Sequence, residues 1–147
     1  MVSDEAIADA IAQGQALQIA GNRVGAQANY LALWDAATRE ANHYQGSIVA
    51  HFLAHAQTEA AAQRDWHERA LRAAEAALAQ DDKRVRAFLP SLHANLAEVS
   101  LRLGQRALAR EHLAQARANE AALRDDGYGR MMRGLIARLT QELAGDL

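Results

Sequence analysis

Helix breakers are nearly missing from this chain. There is one proline in 147 residues, Pro90, and several of the nine glycines fall between long periodic segments. Ala, Leu, Arg, Glu and Gln dominate those segments, and all five are good helix formers. No period-2 alternation marks a strand. The expectation is an all-α chain of helices joined by short turns. Half of the residues are apolar and 23% are charged, a balance that suits a packed core rather than a disordered chain. The length suits one domain, spanning 1–147.

Apolar periodicity and boundary residues predict seven helices. The first covers about 4–20, with Ser3 as N-cap, Asp4 and Glu5 near the positive end of the helix dipole, and Gly21 just past its end. The second covers about 23–40, with Asn22 as cap and Tyr30, Leu33 and Trp34 on its apolar face. The two-residue join forces these helices into an antiparallel hairpin. The third, about 43–58, is apolar on most sides, and the fourth, about 61–79, carries Trp66 and Leu71. The fifth, about 83–103, is kinked or started by Pro90 and ended by Gly104. The sixth covers about 107–122. Asp125-Asp126-Gly127-Tyr128-Gly129 reads as a loop before a seventh, capping helix over about 130–144.

Three helix-turn-helix joins align with one another. Gly21 is followed by Ala26 and Tyr30, and Gly104 by Ala109 and Leu113, at the same offsets. In the middle unit Thr58 stands where the glycine would be and Gln63 where the alanine would be. This pattern resembles the tetratricopeptide repeat, with Asn95-Leu96-Ala97 to Leu103-Gly104 as its inner helix and Gly14 at its small position. The joins lie 37 and 46 residues apart, against a family period of about 34, so the units are degenerate. The resemblance implies a right-handed superhelix of three hairpins, about 4–41, 43–79 and 83–123, closed by the capping helix. It also implies a concave groove lined by the third and fifth helices, with Gln45, Phe52, His55, Ser91, Asn95, Glu98 and Arg102 as binding residues. A peptide or protein segment is then the expected partner.

His51, His93 and Tyr128 are expected at the groove edge. His51 and His55 are four apart on one helix face, a spacing at which two imidazoles can share a metal, with His93 or His67 as a third ligand. Phe52 replaces the glutamate of the zinc-protease motif. The bland alternative has His51 packed at the repeat's small position and His55 facing the groove. Ser91 and His93 are two apart on a helix and point in different directions, so they do not make a catalytic pair. Ser91 and Asn95, four apart, share a face.

The leading expectation is therefore a binding module without enzymatic activity, cofactor or metal. The alternative is a small-molecule or metal sensor, or an enzyme, built on His51, His55, His93 and Asn95. A net charge of −2 gives no drive toward nucleic acid or acidic membrane. No apolar run approaches the roughly 18 residues of a membrane span, and Met1 to Glu5 has no secretory character. The absence of cysteine excludes disulfides and thiolate metal sites, which favours the cytoplasm. Fifteen of sixteen basic residues are arginine, in keeping with a GC-rich bacterial genome. A homodimer through the Met131-Met132 face of the last helix is a further expectation.

Overall fold

The structure, a computed structural model, describes residues 2–145; Met1, Asp146 and Leu147 of the expected 1–147 domain lie outside them. Among the described residues there is no strand. The helices are α1 (Asp4–Ile19), α2 (Arg23–Arg39), α3 (His43–His55), α4 (Ala60–Ala79), α5 (Leu89–Arg102), α6 (Arg106–Ala118) and α7 (Gly127–Ala144). Short 3-10 segments stand at Lys83–Phe88 and Glu120–Ala122. No helix is long and apolar enough to cross a membrane among the described residues. The all-α expectation holds, and the helices pack in neighbouring pairs.

The chain forms two compact units, Met1–Asp82 and Lys83–Leu147. In the first, α1 packs on α2, α2 on α3 and α3 on α4. In the second, α5 packs on α6, and α7 lies against both.

Side-chain oxygens start four of the helices. Ser3 accepts from the Ala6 N–H, Asn22 from Gly25, Asn42 from Gln45 and Asp126 from Gly129. Four helix ends share one device. Gly21, Ala41, Asp81 and Gly104 adopt φ of 85°, 51°, 65° and 76°. At each, the N–H of the next residue returns to the carbonyl five residues back: Asn22 to Leu17, Asn42 to Ala37, Asp82 to Ala77 and Gln105 to Ser100, all at 2.8–2.9 Å.

The end of α3 lacks such a residue and is finished by glutamines instead. Gln57 Nε2 donates to the Leu53 carbonyl, Gln18 Nε2 to His55, Gln27 Nε2 to Ala56 and Gln63 Nε2 to Gln57. The bonds to His55 and Ala56 satisfy carbonyls that a helix end leaves without backbone partners. The bond to Gln57 accounts for Gln63 standing where the repeat pattern has alanine.

Two expected boundaries shift. The helix foreseen over 83–103 begins as a 3-10 segment, and Pro90 sits in the first turn of α5, where a missing N–H breaks no bond. The loop foreseen at 125–129 is shorter, because Asp126 caps α7 at once and Tyr128 lies in its first turn.

The first core gathers Ile7, Ile11, Ala26, Tyr30, Val49 and Leu53. The second gathers Leu113, Leu123, Met132, Ile136, Leu139 and Leu143, with alanines on α5 and α6. Met132 is 4% exposed and Met131 61%, so the two do not form one surface face. Successive residues of a helix point about 100° apart, which corrects the shared Met131-Met132 face.

Gly14 of α1 faces Tyr30 of α2 so closely that a Cβ would stand 2.4 Å from Tyr30 Cε1 and 2.8 Å from Asn29 Nδ2. Tyr30 is fully buried, and Asn29 is held by its bond to the Ala10 carbonyl. Neither can yield cheaply. Gly14→Ala is expected to destabilise the fold by about 1–3 kcal/mol despite its better helix propensity, as overpacked cores do. Ala41→Gly acts the other way: it relieves a left-handed alanine and should stabilise by about 0.5–1 kcal/mol. Thermal melting of both variants against the parent checks the pair of signs.

Candidate functional site

The apolar stripe of α1 and the Ile48 and Phe52 side of α3 leave a groove between them in the first unit. One concavity of about 290 Å³ is lined by Asp4, Ile7, Ala8, Ile11, Tyr44, Gln45, Ile48 and Phe52. A second, of about 390 Å³, is lined by Gln15, Gln18, Ile19, Phe52 and His55. Phe52 belongs to both. Its ring leans on Tyr30, with centroids 6.0 Å apart, which holds it between the two. Ile19, 88% exposed, ends the groove with an apolar surface open to water.

Three expected residues meet here, in different roles. Phe52 is the partly buried floor and His55 the exposed wall. Gln45 is 2% exposed, and its amide nitrogen donates to the Val2 carbonyl at 2.8 Å and the Asp4 carboxylate at 2.9 Å. It fastens the start of α1 to α3 and shapes the groove from beneath. Gln15, Gln18 and Ile19 were not anticipated. Their signal was the continuation of the Ile7, Ile11 face along α1.

His51 lies beside this wall, and folding adds His67 of α4. The ring centroids are 4.6 Å apart for His51 and His55, 5.2 Å for His55 and His67, and 6.1 Å for His51 and His67. Among the described residues, no group of three or more His, Asp or Glu is arranged to hold a metal ion. Burial first, and the neighbouring His55 second, push His51 down to about 3.

The α5 candidates occupy the second unit. Ser91 and Asn95 are 3% and 7% exposed and so sit inside rather than on a groove wall. Asn95 Nδ2 is buried without a hydrogen-bond partner. The Ser91 hydroxyl reaches the Tyr128 phenol only loosely. It lowers that phenol's pKa against the larger raising effect of burial, yet falls short of a well-formed hydrogen bond. Glu98 accepts from Arg138 of α7 at 2.6 Å, which ties it to a structural pair. Arg102 is exposed. Tyr128 is half-exposed and lines a concavity of about 270 Å³ with Phe88, Leu123 and Asp126.

His93 has found a partner that the sequence did not point to. Its Nδ1 lies 3.1 Å from Nδ1 of His112 on α6. One ring must carry its proton there and the other must offer a lone pair, so the bonded pair cannot hold two charges. Burial, then His112, pushes His93 down to about 4. Ser91, His93 and Asn95 therefore do not converge on a reacting atom: two are buried and the third is bonded elsewhere.

Compared with known protein families, curated proteins and solved structures, the chain matches none.

Both depressed histidines are neutral in the fold, whereas in the unfolded chain each titrates near pH 6.5. Between about pH 6.5 and pH 4 the unfolded state binds more protons, so stability rises with pH through that window and is complete above it. The melting temperature should be higher at pH 7 than at any lower pH and fall from pH 6.5 to 4. The slope is up to about 1.4 kcal/mol per pH unit for each histidine. His51→Phe should flatten the fall in a calorimetric pH series. A melting temperature constant from pH 7 to 4.5 would contradict the burial of these rings.

Proposed function

We propose that this chain is a tetratricopeptide-like binding module without catalytic activity, and that it holds an extended peptide in the groove between α1 and α3. The observation that carries this is the pair of adjoining concavities sharing Phe52, one lined mostly by apolar side chains and the other by Gln15, Gln18 and His55 beside Ile19. At 1.5 Å per residue, α1 offers a track of roughly 22 Å, room for about six or seven extended residues. Isoleucine and phenylalanine side chains would take alternate apolar side chains of such a peptide. The glutamines would bond its backbone, a mixture typical of groove recognition.

Further support comes from Gly14 packed against Tyr30 and from the left-handed Gly21 and Gly104, since these positions carry the repeat resemblance. The lack of convergence among Ser91, His93 and Asn95 weighs against an enzyme. A fold held without cysteine suits the reducing cytoplasm.

Peptide display against the immobilised protein tests the proposal. Selected sequences should share apolar residues at alternate positions. Their affinity should drop at least tenfold in Ile48→Glu and in the double variant Gln15→Ala with His55→Ala, with the melting temperature of the double variant kept. Failure to select any peptide, or selected peptides that bind both variants unchanged, would rule out this groove.

A further inference from the structure

A third concavity in the first unit is separate from the groove and differs from it in chemistry. It has a volume of about 470 Å³ and lies among the end of α2, the start of α3 and the middle of α4. Its apolar floor is Trp34, Ala37, Gly46, Ala73 and Ala76. Its polar lining is Thr38, Asn42, His43, Arg69 and Arg72, with no carboxylate among the lining residues. The size and the few polar groups are those of a small-molecule site.

Trp34 and Arg69 have contacts that place them before any ligand arrives. Trp34 meets Trp66 edge to face, with ring centroids 5.4 Å apart at 90°. The Arg69 guanidinium lies over the Trp66 ring, 4.3 Å from its centroid, a cation–π contact that fixes the long side chain. Arg72 reaches Glu68 at 3.8 Å, an exposed pair that screening weakens and that a ligand anion can replace. Gly46 leaves the floor open. A Cβ there would meet Trp34 at 3.5 Å and Ala73 at 3.8 Å, ordinary contacts with two of the lining residues.

We propose that this cavity binds a small aromatic carboxylate. The flat body lies on Trp34 and the alanines, and the carboxylate takes the forked donors of Arg69 and Arg72, a geometry that guanidinium groups match in pairs. A neutral ligand of the same shape would leave the arginines unanswered. A basic ligand would meet two like charges.

The test uses 1-naphthoate as probe, 1-naphthamide as its neutral counterpart, and the full chain. Calorimetry should give a dissociation constant of about 0.1–1 mM for the acid, as expected for a ligand of this size, and at least tenfold weaker binding for the amide. Nitrogen-labelled protein should show the Trp34 indole N–H among the most shifted signals. Arg69→Gln with Arg72→Gln should weaken naphthoate about tenfold or more and bring it level with the amide. Gly46→Val should abolish binding by filling the floor; if it fails to fold, the arginine pair and the Trp34 signal still decide. Equal binding of acid and amide, no binding of naphthoate up to 5 mM, or naphthoate binding unchanged without the two arginines would each overturn the proposal. The α1–α3 groove contains neither arginine, so loss of peptide capture and loss of naphthoate binding are read separately.

Discussion

Four helices of this chain, α1, α2, α4 and α5, end where one residue turns left-handed, and much of the packing depends on that turn. At Gly21, Ala41, Asp81 and Gly104 the backbone reverses φ and returns two N–H groups to the last turn, and at Gly21, Ala41 and Gly104 it sends the chain back along the helix it has just left. The reversal is abrupt enough that the next helix begins two residues later at Gly21, Ala41 and Gly104, and neighbouring helices then lie side by side by necessity. Alanine-rich faces let them approach closely. The fully buried alanines at 26, 50, 54, 70, 74, 94, 97, 109 and 116 fill contacts that larger side chains would hold apart.

The join between α3 and α4 has no left-handed residue, and the difference bears on the candidate groove. Four glutamines supply the donors that backbone amides supply elsewhere, and two of them, Gln18 and Gln27, come from α1 and α2. The end of α3 is therefore held by the preceding hairpin. That bond network sets His55 and Phe52 against α1 and shapes the space between them. Gln45 does the same at the other end through Val2 and Asp4. The groove is framed by amide side chains, which bond backbone without adding charge.

The histidines follow a different logic. His51 and His93 are kept neutral by burial and by a second imidazole close by, so each is a proton acceptor that the fold withholds. The contact of His93 with His112 couples α5 to α6 through a bond that a second proton would break. Such pairs tie the burial of the two rings to their neutral form, because protonation would have to charge an imidazole that the fold has taken out of water.

Much of this was legible in the residues. Helix-forming composition, the caps Ser3 and Asn22 and the glycines at 21 and 104 act within a few residues of themselves, so helix number and order follow from local chemistry. Gly14 and Tyr30 could be placed by repeat spacing, although their near-collision could not. Ala41 and Asp81 turn left-handed with no glycine to signal it, because a shared six-residue hydrogen-bond pattern imposes the angle. Pairings across long stretches belong to the tertiary structure alone. Gln18 reaching His55, His93 meeting His112, and Arg138 taking Glu98 each join residues at least 19 apart, and no periodicity encodes which faces will touch. The same holds for burial. Ser91 and Asn95 share a helix face by geometry, but only packing decided that the face is inside, because an α5 side chain is covered by neighbours that its own sequence does not specify.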